Sequence, residues 1–162
     1  MPARPGYVFD TNALISAALL KHSVSRKALD RALEEGELLV SAETIDELNQ
    51  VLSRADFSRY VTEDERMEFL AVLLREARLV EVAVYVGECR DPQDNKFLEL
   101  AVSGAAVCIV SGDQDLLVLD PFRGVSIITP CFSGSTVEEA GLGPQVVCGH
   151  KRAGAVPTRR SA

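Results

Sequence analysis

A chain of 162 residues with 47% hydrophobic and 25% charged residues has the balance of one soluble globular domain and enough apolar surface to bury a core. It holds no run of about 18 apolar residues to span a bilayer, and MPARPGYVFD enters a strand-like run without a signal-peptide core, so no membrane role and a cytoplasmic location are expected. The net charge of −7 is uneven: residues 1–145 carry all 24 acids and 13 of the 17 bases, the last 17 residues carry +4, and such an acidic body excludes affinity for nucleic acid through bulk charge alone.

Taken in chain order, YVF (7–9) reads as a short apolar strand ending at Asp10, and ALISAALL (13–20) as a buried helix start. VSRKALDRALEEG (24–36) is predicted helical, with Val24, Ala28, Leu29 and Ala32 on one face and Gly36 as the stop. ELLVS (37–41) is a second strand, and Ser41 can cap a third helix over 42–54 whose Ile45, Leu48 and Leu52 share a face. Thr62 and Glu65 have capping-box spacing at the head of a fourth helix, 62–77, which leads into a strand over 78–84. In RDPQDNKFLELA (90–101), Asp91 caps a helix, Pro92 takes its first position, and Asp94 sits where a carboxylate can bond free N–H groups. AAVCIVSGD (105–113) is an apolar strand running into a turn, QDLLVL opens another helix, and VSIITP (125–130) is a last strand.

Short, almost uniformly apolar strands alternating with helices predict an α/β fold: a three-layer α/β/α sandwich around a parallel sheet of about five strands. That domain is expected over residues 1–132. From Ser133 the pattern dissolves into Gly, Pro and basic residues, so 133–162 reads as a loosely ordered or disordered C-terminal extension. Cys89, Cys108, Cys131 and Cys148 lie 17 or more residues apart, which suggests neither a CxxC metal site nor a redox pair, and they are expected to be reduced and mostly buried.

In open parallel sheets the ligand site lies beyond the carboxyl ends of the strands, where strand order reverses. Asp10 and Asp113 follow strands directly. Asp94, in the first turn of a helix that leads into a parallel strand, could reach the same edge, and Glu47, off the apolar face of the third helix, could point there too. Four like charges raise each other's pKa, and a hard cation removes the repulsion. Oxygen ligands suit Mg²⁺ or Mn²⁺; the two histidines, His22 and His150, lie away from these acids, which argues against zinc. Divalent ions held by carboxylates are common apparatus for phosphodiester hydrolysis.

VFDTNALISA, SAETIDELNQVL, DPQDNKFLELA and IVSGDQDLL occur in the order and spacing of PIN-domain proteins, and the chain resembles the toxin components of bacterial toxin–antitoxin systems over roughly residues 6–132. The resemblance implies a metal-dependent endoribonuclease acting on RNA through four acids: Asp10 in FDTN, Glu47 in IDEL, Asp94 in DPQD and Asp113 in SGDQD. It implies that Asn12 helps to orient the first acid, that Ser111 is the small hydroxyl residue before the fourth, and that Asp115 contacts the metal indirectly. It also implies a homodimer and an antitoxin partner that lays a peptide over the site.

Each acid has a plainer reading. Asp10, Asp94, Asp113 and Asp115 can be helix or turn caps, and Glu47 an exposed helix glutamate; Asp91 is read as structural. Arg54, Arg59 and Lys96 are candidates for holding the RNA backbone, with Arg26 and Lys27 behind them, although a solvated helix face explains any of these. Phe57 and Tyr60 beside Arg59 are candidates for base stacking or for core. A second reading is a PIN-fold module that binds RNA or protein with little turnover. A third, a phosphohydrolase of the HAD class, needs DxD after the first strand, where this chain has Asn12.

Overall fold

The computed structural model describes residues 3–130. The predicted extension from Ser133, with Cys131 and Cys148, lies outside the described residues. Strands β1 (Gly6–Phe9), β2 (Glu37–Val40), β3 (Ala77–Leu79), β4 (Cys108–Val110) and β5 (Ser126–Ile128) form one sheet in the order β3-β2-β1-β4-β5, with every neighbouring pair parallel. The helices are α1 (Thr11–Leu19), α2 (Val24–Glu35), α3 (Ala42–Leu52), α4 (Glu63–Glu76), α5 (Asn95–Ser103) and the single turn α6 (Gln114–Leu117).

Successive side chains of a strand point to opposite faces, and here both faces are apolar. Tyr7, Phe9, Leu38, Val40, Cys108 and Val110 enter one core with Leu14, Leu29, Leu48 and Leu73 from α1 to α4. Val8, Leu39, Ile109 and Ile127 enter the other with Phe97, Leu98 and Leu100 of α5 and Leu116 of α6. The predicted three-layer α/β/α sandwich with a five-stranded parallel sheet is therefore the observed architecture.

Helix starts follow the sequence signals closely. The Ser41 side chain accepts from the Thr44 amide while Thr44 answers the Ser41 amide, and Thr62 and Glu65 form the same reciprocal box. Asp91 accepts from the Gln93 amide and Pro92 takes the first position, but the turn they open is a 3₁₀ helix, Pro92–Asp94, and α5 begins only at Asn95. Among the described residues Cys89 and Cys108 are buried and free. No helix there is long and apolar enough to cross a membrane.

Three expectations are corrected. The strand over 78–84 shrinks to Ala77–Leu79, because its partner β2 ends at Val40 and the last pairing bond runs from the Val80 amide to the Val40 carbonyl. The strand over 105–113 shrinks to Cys108–Val110; Ala105, at φ 52°, takes the left-handed conformation that follows a helix end. Val24 does not join the buried face of α2. It opens the helix 47% exposed, while Ser25, Ala28, Leu29 and Ala32 are buried.

Candidate active site

From β1 the chain moves outward to β3, then returns to place β4 on the other side of β1. That reversal leaves a crevice beyond the carboxyl ends of β1 and β4. The Asp10 amide donates to the Val110 carbonyl at 3.1 Å, and the Ser111 amide to the Ile128 carbonyl at 2.8 Å, so the residues that leave β1 and β4 are laced to the sheet edge. A cleft of about 160 Å³ opens there, lined by Asp10, Glu47, Asp94 and Asp113 together with Thr11, Asn12, Val51, Arg54 and Phe97. A larger hollow of about 340 Å³, bounded by residues such as Leu19, Tyr60 and Phe69, holds none of these four acids.

Asp10 is 4% exposed. One of its oxygens accepts from the Ala13 amide at 2.7 Å and so caps α1; the other accepts from the Ser111 hydroxyl. The Ser111 oxygen in turn accepts from the Asp113 amide at 3.0 Å, and Asp113 caps α6 through the Asp115 amide at 2.9 Å. The plain capping reading and the cleft placement are thus true of the same side chains. Burial pushes the Asp10 pKa up, the bonds from Ser111 and Ala13 hold it down, and the charges of Asp113 and Glu47 add to the rise.

Asp94 makes no capping bond at the head of α5, which corrects that part of the expectation. Its Oδ2 is buried without a hydrogen-bond partner, as is Oγ1 of Thr11. Burial, then the neighbouring Asp113 carboxylate, then the charges of Asp91 and Asp10 push the Asp94 pKa from 3.8 to about 7. Glu47 meets the Lys96 ammonium, which is 9% exposed. Lys96 is thus a buried partner of Glu47, while Glu47 itself lines the cleft.

The remaining candidates divide. Arg54 is exposed and lines the cleft; Arg59 is exposed but is not part of its lining. Asn12 is exposed on the lining, and no hydrogen bond from it to Asp10 is found among the described residues, where Ala13 and Ser111 do the orienting. Asp115 is half-buried and meets Asp113 through its amide. Phe57 packs on the first core, and Tyr60 is 70% exposed beside the larger hollow. Thr11 was not singled out from the sequence; its only signal is its place directly after Asp10 in FDTN.

No group of three or more His, Cys, Asp or Glu side chains among the described residues is drawn together as a closed metal shell. The four carboxylates share a cleft, with Glu47 held to Lys96. In chemistry the donors nevertheless fit a hard divalent cation: they are oxygens, one is buried and unpartnered, and mutual repulsion raises proton affinity where a cation would relieve it.

The sequence model of the PIN domain family matches residues 6–115. An uncharacterized protein of Methanocaldococcus jannaschii, MJ1680, is 28% identical over 114 residues, which cover 69% of this chain and 73% of that protein. Among solved structures, VapBC2 from Rickettsia felis, bound to a DNA fragment from its promoter, superposes with a TM-score of 0.55 at 15% identity, over 75% of this chain and 96% of that one. PAE2754 from Pyrobaculum aerophilum superposes with a TM-score of 0.53 at 20% identity, over 77% and 84%. At these identities the structural likeness establishes the fold.

Proposed function

The chain belongs to the PIN-domain family, and from that premise we propose that it is a divalent-metal-dependent endoribonuclease, with the cleft beyond β1 and β4 as its active centre. The observation that carries the reading is the meeting of Asp10, Glu47, Asp94 and Asp113, from four separate segments, in one cleft at the switch point of the sheet. Asp10, Glu47, Asp94 and Asp113 would hold Mg²⁺ or Mn²⁺, with Asp115 acting indirectly through Asp113. When bound, the cation supplies charge neutralisation for the acids and Lewis-acid chemistry for a phosphodiester.

The chain's own residues prepare that centre. Ser111 and the Ala13 amide fix both oxygens of Asp10, so its carboxylate needs no reorganisation. Burial and the Asp113 carboxylate push the Asp94 pKa up to about 7, so Asp94 carries a proton that a bound cation would displace. Arg54 on the rim offers a cation to the RNA backbone. The protein would act as the toxin of a toxin–antitoxin module, as a homodimer in the cytoplasm, restrained by an antitoxin over the cleft, and the proposed site lies within the expected domain, residues 1–132.

One observation favours a second reading, a module that binds RNA or protein with little turnover: Glu47 is engaged by Lys96. Purified protein incubated with a fluorescent RNA panel in Mn²⁺, Mg²⁺ or EDTA, beside Asp94→Ala, separates the two. The nuclease reading expects metal-dependent cutting that leaves 5′-phosphate ends and falls at least a hundredfold in the variant, on the order of a lost transition-state contact. RNA retention without cutting, equal in both proteins, would replace it with the binding module.

A further inference from the structure

Lys96 is a cation in a costly place. It is the second residue of α5, where the helix dipole disfavours positive charge, and it is 9% exposed. A buried ammonium persists only when it is paired, and its partner is Glu47 Oε2, reached across 49 residues of sequence from α3. Glu47 is 31% exposed and lines the cleft with Asp10, Asp94 and Asp113. Among the described residues, the ammonium found on these acids therefore sits on the one that comes from a helix interior, while Asp10 and Asp113 are pinned by caps and Ser111 and Asp94 Oδ2 has no partner.

We propose that Lys96 is a positioning residue that competes with the divalent cation for Glu47: the carboxylate is held by the ammonium when the cleft lacks metal and is released to the cleft when metal binds. The inference rests on the nuclease reading given above. Its physical content is a population term. A ligand that needs a conformer populated in a fraction of molecules binds with its affinity reduced by that fraction, so a pair formed in about nine molecules in ten weakens apparent metal affinity about tenfold. Removing the ammonium removes that factor, and removing Glu47 removes both the competitor's target and a ligand.

The test is Mn²⁺ affinity by isothermal titration, with folding checked by circular dichroism, in the wild-type chain, Lys96→Met, Glu47→Gln, the double variant and Asp94→Asn. Competition predicts that Lys96→Met binds Mn²⁺ about tenfold more tightly, that Glu47→Gln binds more weakly than wild type, and that adding Lys96→Met to Glu47→Gln changes affinity by less than about twofold. A pure field effect of the missing positive charge would tighten binding equally with or without Glu47, and that result overturns the proposal; so does an unchanged affinity in Lys96→Met. Lys96→Gln carries the same comparison if the methionine variant does not fold. Failure of the underlying reading looks different: the wild-type chain binds no Mn²⁺, or Asp94→Asn binds it as wild type does.

Discussion

At the scale of single residues, the cleft gathers groups that each have a structural reason to be where they are. Asp10 and Asp113 were legible because a carboxylate that ends a strand and starts a helix must sit at the sheet's carboxyl edge, and both do, as caps of α1 and α6. The directions taken by Asn12 and Lys96 were not legible for a common reason: residue type and spacing do not say which way a side chain turns. Asn12 lies on the rim while Ser111, 101 positions from Asp10, does the orienting; Lys96 turns inward to Glu47. Asp94 gives the prediction at this scale. The folded chain holds its proton up to about pH 7, against 3.8 ordinarily, so the stability linked to that proton is fully present below about pH 4 and is lost as pH rises through about 7. In EDTA the melting temperature should fall from pH 5 to pH 8 by more in the wild-type chain than in Asp94→Asn, whose amide carries no charge. A parallel pair of pH profiles in differential scanning fluorimetry would contradict the account.

At the scale of elements, the alternation of short apolar strands with capped helices made the layer order readable, because a strand buried on both faces leaves no polar register for another arrangement. Ends were less readable. The strand predicted over 78–84 continues in sequence well past Leu79, yet its length is set by β2, which stops at Val40. Tight joints were readable only in part: Gly36 reads as the stop of α2, but the backbone packed against it does not show in the sequence. A Cβ on Gly36, between α2 and β2, would stand 2.1 Å from the Pro5 carbonyl oxygen, the acceptor of the Glu37 amide at 2.9 Å. Gly36→Ala should therefore destabilise the chain by about 1–3 kcal/mol as the joint is forced apart. Gly112→Ala, where an added Cβ meets nothing within 4 Å, should change stability by less than about 0.5 kcal/mol. Urea unfolding of both variants checks this, and equal midpoints would contradict it.

At the scale of the whole molecule, the acidic balance and the acidic cleft raise one question: how a chain of net charge −7 would meet a polyanion. A divalent cation in the cleft would answer it locally, offsetting the charge of the acids where the proposed substrate's phosphate would approach. Composition exposed the problem, and the switch point of the parallel sheet is where the proposed solution lies. The side-chain pairing across α3 and α5 that tunes the site became visible only in the fold. The central claim is that this cleft holds the metal. A crystal grown with Mn²⁺ and measured at the manganese absorption edge tests it most directly. The account predicts an anomalous peak in the cleft, in contact with Asp10, Asp94 and Asp113. A peak elsewhere on the chain with the cleft left bare, or none at saturating Mn²⁺, would contradict it.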